Sequence, residues 1–395
     1  VIGHVLDAAL VVWAGTVAGA SGTAICKTAL ARRRRTPASR APATDALLVR
    51  PCRGAESALR ANLLSVAELR GAEGLAVVFA VPDASDAAWP VALEAAQELR
   101  ARGVDARAEL TSTEGPNNKA AQLEVVCHRA PERALVVVAD SDVDLTGVDL
   151  GAMLEPLRRT ESVGATWVPP VEGRGLGARR EDPSGTPTLG DRLSAAVLSA
   201  SLHAFPVLVG LDADGMVGKL FAIRREALRA VGGFGAFVSV LGEDVELARR
   251  VREAGFTVEA LPFVARARVR GRSVSAVVGR FGRWLTVVRA QRPALLASYP
   301  LLFSATLPIL LLGLSLGPST LTLAAASTTA FARWSVGRFA SYVAGVRAPS
   351  FAWMLAADVL LLCALVRALS TRTVEWRGRK LAIGRKGALL SLQHG

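Results

Sequence analysis

Aromatic residues are scarce in this chain, at 5 % of its 395 positions. No stretch interleaves basic and aromatic side chains, which argues against nucleic acid as a partner. Cysteine is scarce too. Cys26, Cys52, Cys127 and Cys363 lack the paired spacing of a metal or redox site and read as reduced thiols of a cytoplasm-facing protein. Between residues 45 and 290 no run convincingly spans a bilayer. "AVLSASLHAFPVLVGL" (196–211) comes nearest, but it is short, carries Pro206 and reads as a buried or interfacial element.

What is abundant is apolar and basic. Hydrophobic residues make up 51 %, the formal net charge is +13 and the mean hydropathy is +0.35, high for a soluble protein. Basic charge on an apolar chain suits an anionic membrane surface or an anionic substrate. Residues 5–25 are long and apolar enough to span. "ARRRR" (31–35) follows them, which predicts a signal anchor with the next segment in the cytoplasm. A cleaved signal peptide would carry its positive charge in front. Three further apolar runs follow, at 293–315, 317–332 and 350–368. Three full spans would put the basic tail on the far side, against the positive-inside tendency.

The domain reading is an anchor at 1–27, a basic linker at 28–44 and a cytoplasmic domain at 45–272. An interfacial helix at 273–292, membrane or re-entrant segments at 293–369 and a basic tail at 370–395 complete it. Inside the cytoplasmic domain, apolar runs at 46–50, 75–83 and 134–142 alternate with helical patterns, which predicts βαβ units and a parallel sheet. Ligands bind such sheets at the carboxyl ends of strands. Two of these strands end in Asp83 and Asp140. Asp83 is equally a turn residue after Val81-Pro82.

"VVVADSDVDL" (136–145) crowds Asp140, Asp142 and Asp144 behind an apolar strand. Their repulsion calls for a compensating cation, although an N-cap and a turn also account for the pattern. A second Asp-x-Asp, Asp212 and Asp214, also ends an apolar run. "LGEDVELARRVREAG" (241–255) opens a helix with Glu243 and Asp244, which the helix dipole favours whatever they do. An acid held there beside a cleft is also placed as a general base. "SVSAVVGRFGRWLTVVR" (273–289) sets Arg280 and Arg283 on one helix face beside Trp284. Snorkelling arginines with a belt tryptophan explain it, and so does a cationic clamp on a diphosphate.

Taken in order, these motifs resemble the membrane-bound family 2 and family 21 glycosyltransferases, most closely ceramide glucosyltransferase and its bacterial, hopanoid-associated relatives. "LLVRPCRGAESALRANLLS", "GPNNKAAQL", "GMVGKLFAIRREAL" and "VEWRGRKLAI" resemble further segments of that family, with Gln122 where asparagine is usual. The likeness runs from the anchor to about residue 383. It gives the family position to Asp140 and Asp142 over Asp212 and Asp214. The stretch 172–191 does not align with it.

The resemblance implies an α/β GT-A domain flanked by transmembrane helices, and a UDP-sugar donor. It implies Mg2+ or Mn2+ held by Asp140 and Asp142, and nucleotide contacts from Asp83 and Lys119. Asp244 becomes the base that takes the acceptor proton, Arg280 and Arg283 face the leaving diphosphate, and Trp284 packs near the acceptor. The implied reaction inverts the sugar on a lipid hydroxyl, ceramide first, at the cytoplasmic face of an inner membrane. A hopanoid, diacylglycerol or polyprenyl-phosphate acceptor, or a processive polysaccharide synthase, are the alternatives.

Overall fold

The computed structural model describes residues 2–33, 41–56, 58–113, 116–130, 132–173, 175, 186–212, 214–299, 311, 319–371, 373–376, 379–384 and 387–391. Two units are distinguished, one of residues 35–170, 214–270 and 372–395, the other of 1–34, 171–213 and 271–371.

In the first unit the strands run β1 (Ala46–Pro51), β2 (Ala76–Val81), β3 (Asp105–Leu110), β4 (Leu135–Ala139), β5 (Val143–Asp144) and β6 (Val163–Trp167). After the two-residue β7 (Pro170–Val171) come β8 (Leu220–Arg224), β9 (Thr257–Ala260) and β10 (Ala265–Ala267). Seven form one sheet in the order β3-β2-β1-β4-β8-β6-β9. Every residue of β1, β2, β4 and β6 is buried. That is why β1, β2 and β4 read as apolar runs instead of alternating ones. The helix Ala88–Ala101 buries Leu99 together with Ala88, Ala92, Ala95 and Ala96, whose small side chains let it lie close to its neighbours.

The expectation of a parallel sheet holds for β3-β2-β1-β4 and fails next door. β8 runs antiparallel to both β4 and β6. The chain reaches β8 through some fifty residues after β7, not through a single crossover helix, so the rule for βαβ units does not fix its direction. The reversal matters for the site. It pairs Leu220 with Ala139, and the Asp140 N–H donates to the Lys219 carbonyl at 2.9 Å.

The tail is a small antiparallel sheet of β11 (Thr373–Trp376), β12 (Arg379–Ile383) and β13 (Leu389–Ser391). It joins the first unit through backbone bonds: Leu241 donates to Gly387 and Leu389 donates to Ser239, both at 2.8 Å. Arg377, in the tryptophan-arginine element, lies outside the described residues.

The second unit is helical. Among the described residues, three of its helical stretches are long and apolar enough to cross a membrane: Asp7–Arg33, Leu189–Leu211 and Phe351–Ser370. The middle one differs from the sequence reading because its apolar course begins at Leu189, seven residues before the expected start, with a break between Ala200 and Phe205. Thr320–Ala344 is also long, but it carries Arg333, which pairs with Asp358 at 2.8 and 3.0 Å. Most of the expected 293–315 span lies outside the described residues.

Candidate active site

Asp140 stands directly after β4, and its turn is built from below. Arg50 on β1 is fully buried, and its guanidinium donates to the carbonyls of Asn62, Asp140 and Val143, the Asp140 bond measuring 2.9 Å. Asn62 donates to the Ser141 carbonyl at 3.1 Å. Arg50 of the sequence motif, with Asn62, thus holds the backbone that carries both aspartates. Burial pulls the Arg50 pKa down to about 10, with Cys52, Asp142 and Asp140 opposing, so it remains a cation behind the acids.

Two lysines meet those acids. Lys219 Nζ is 3.0 Å from one oxygen of Asp140 and 2.8 and 2.7 Å from the two oxygens of Asp142. Lys119 Nζ is 2.8 Å from the other Asp140 oxygen, 3.2 Å from Glu243 and 2.8 Å from the Gly218 carbonyl. Burial alone would raise the Asp140 carboxyl, but Lys119 and then Lys219 outweigh it and hold it well below the usual carboxylate range. Lys119 sits near the start of the helix Asn118–Arg129. The preceding Asn117 caps that helix through Ala120 N–H and donates to Glu243 at 3.1 Å. Gln122 donates to the carbonyls of Cys52 and Ala80, tying the ends of β1 and β2.

Asp244 belongs to the same cluster. It follows Glu243 at the start of the helix Glu243–Glu253, after Gly242 at φ 72°, and accepts from Gly218 N–H at 2.7 Å and Val245 N–H at 3.0 Å. A Cβ on Gly218 would come 2.8 Å from the Asp244 Cβ, so only glycine permits this approach. Desolvation, then the charge of Glu243, push the Asp244 carboxyl up to about 6 against the pull of Lys119. One pocket therefore holds an acid kept ionised and another poised near neutrality.

Other predicted residues lie elsewhere. Asp83 follows β2 at the carboxyl edge of the sheet, but its side chain is exposed and accepts from Ser85 N–H at 2.9 Å, closing its own turn. Asp214 is exposed and faces Arg252 at 3.8 Å. Asp144 pairs with Arg268 at 2.5 Å.

In the helical unit, Arg280 and Trp284 lie on the helix Val274–Gln291, and Asp212 pairs with Arg292. The Arg280 guanidinium is ion-paired with Glu172 and lies 4.6 Å from the centre of the Trp284 ring. Trp284 packs on Phe205 and Phe281. Arg283 lies on the same helix and is partly buried. Glu172 also pairs with Arg272 at 2.7 Å and accepts from Ser194 at 2.6 Å. Burial would raise it, but Arg280 and Arg272 bring it down to about 2.

Lys219, Arg50 and Glu172 were not among the expected site residues. Lys219 and Arg50 did lie inside stretches that resemble the family, and their roles become visible only with the strand register.

Two carboxylates that converge on one ammonium offer hard oxygen ligands at a single cation position, which suits Mg2+ or Mn2+. Among the described residues no cluster of three His, Cys, Asp or Glu side chains stands ready for a metal. A bound ion would therefore draw its remaining ligands from phosphate and water.

The mixed α/β sheet has the GT-A arrangement of nucleotide-sugar-dependent glycosyltransferases. Residues 11–389 match glycosyl transferase family 21, and the chain belongs to that family. A mannosyltransferase from Pyrobaculum calidifontis, solved with GDP-Man and Mn2+, shares the fold at TM-score 0.53 and 18 % identity, over 91 % of this chain and 99 % of that one. Glucosyl-3-phosphoglycerate synthase from Mycobacterium tuberculosis aligns at TM-score 0.35 and 16 % identity, over 66 % of this chain and 83 % of its own. No curated protein matches the chain in sequence.

Proposed function

We propose that this glycosyltransferase moves a hexose from a UDP-sugar to the hydroxyl of a membrane lipid, ceramide being the first choice, with inversion at the anomeric carbon. The observation that carries the reading is geometric: Asp140 and Glu243 converge on Lys119, and Asp244, bonded to Gly218 N–H beside them, is buried and pushed up to about 6 by that burial. A general base works best with a pKa near the working pH. The likeness to ceramide glucosyltransferase and the three long apolar helices favour a lipid acceptor.

In this reading Asp244 takes the acceptor proton as the hydroxyl oxygen bonds to the anomeric carbon. The bond from that carbon to the diphosphate breaks, and UDP leaves with the electron pair. Asp140 and Asp142 would hold Mg2+ or Mn2+, which when bound offsets the negative charge of the diphosphate. Lys119 adds a cation to the same pocket, and Asp83 is assigned to the nucleoside by the resemblance. By the same resemblance Arg283 acts on the leaving group and Trp284 packs near the acceptor. The resemblance gives the same leaving-group role to Arg280, whose guanidinium is also ion-paired with Glu172.

Asp244→Asn tests the base directly, since asparagine keeps size and capping ability but accepts no proton. Transfer should fall by about 10²–10⁴-fold while donor binding stays near normal. Asp142→Ala should lose both. Transfer within a few-fold of the parent for Asp244→Asn would remove the assignment and leave Glu243 as the next acid.

A further inference from the structure

Asp140 and Asp142 already share a cation of the protein's own. The Lys219 ammonium touches both carboxylates at 2.7–3.0 Å, the two groups that would hold a divalent ion. This is not a loose surface contact. Asp140 N–H is bonded to the Lys219 carbonyl, and the β4–β8 register holds the two residues side by side. Lys119 occupies the other oxygen of Asp140, so neither carboxylate waits without a counter-ion.

Counting charges shows the consequence. Asp140, Asp142, Glu243 and Asp244 face Lys119 and Lys219, with the Arg50 guanidinium behind the turn. A divalent ion arriving alone must break the Lys219 pairs and then lie beside two ammonium groups. A diphosphate arriving alone meets four carboxyl groups. When both arrive, the metal takes over the aspartates and the released ammonium finds phosphate oxygens as its new partners. Each ligand removes the repulsion that the other would meet.

We propose that Lys219 is a resident counter-cation which the metal displaces and the donor's diphosphate then engages, making metal and nucleotide binding cooperative. This rests on the reading that Asp140 and Asp142 hold a metal. A lysine serves here because its ammonium is a compact point charge on a flexible stem, able to exchange one anionic partner for another.

The test is an equilibrium one and needs no turnover. Mn2+ affinity of the full chain is measured by electron paramagnetic resonance with and without UDP, for the parent, Lys219→Met and Lys219→Gln. In the parent, UDP should tighten Mn2+ binding by about 5–150-fold, the usual span of site–site coupling. Both variants should bind Mn2+ alone about tenfold more tightly than the parent, and UDP should tighten that binding by a smaller factor than in the parent, because only direct attraction between metal and phosphate is left to couple them. Two variants guard against one of them misfolding. Lys219 variants that bind Mn2+ alone no more tightly, with the UDP effect intact, would overturn the proposal while leaving the metal reading in place. Absence of Mn2+ binding to the parent, with or without UDP, would overturn both. Asp142→Ala, which should lose Mn2+ in both states, distinguishes this site from incidental surface binding.

Discussion

Single residues set the chemistry, and each does so through a neighbour. Desolvation and then the adjacent Glu243 push the Asp244 carboxyl up from the ordinary 3.8 to about 6. It accepts a proton only when ionised, so kcat/KM should fall as pH drops through about 6 and level off above it. A profile flat down to pH 4.5 would contradict this. The same shift has the opposite sense for stability. Between 3.8 and about 6 the folded chain binds this proton and the unfolded chain does not, so stability from this group declines as pH rises through that window. The acids themselves were legible in the sequence, because an apolar strand ending in Asp-x-Asp is a local signal. Their counter-ions were not. Lys219 lies 77 residues from Asp142, and Glu172 lies 108 from Arg280.

Elements were legible where burial made them uniform. β1, β2 and β4 are covered on both faces and read as apolar runs. β3, "DARAEL", was missed because it is an edge strand with only Ala106 buried, and its arginine and acids mask the pattern. The direction of β8 was also hidden, since local pattern does not record how the chain returns to a sheet. The tail sheet carries a consequence for activity. Its residues 387–389 bond to 239–241, the segment that leads through Gly242 into the helix bearing Glu243 and Asp244. Truncation after Thr371 removes that support. Displacing a reacting group by about an ångström costs on the order of 10²-fold in rate. The truncated chain should therefore lose transfer on that scale while retaining UDP binding through Asp140 and Lys119. Unchanged transfer would show the tail to be dispensable.

For the molecule as a whole, the tail also bears on membrane topology. Because residues 387–389 belong to the same unit as the sheet, both lie on one side of any membrane the chain crosses. The segments between 271 and 371 must then cross an even number of times. This answers the difficulty that three full spans raise, and keeps the basic tail with the catalytic domain. A reporter fused after Gly395 should show the same side as one inserted near residue 40, and opposite sides would refute it. The most direct test of the central claim uses membranes carrying the protein, with labelled UDP-glucose, UDP-galactose and UDP-GlcNAc offered to ceramide, diacylglycerol and hopanoid. The account predicts that one sugar enters a single lipid-soluble, acid-stable product, best with ceramide, and that EDTA abolishes its formation. Label recovered in a polymer or in an acid-labile polyprenyl phosphate, or in no product with any acceptor, would contradict it.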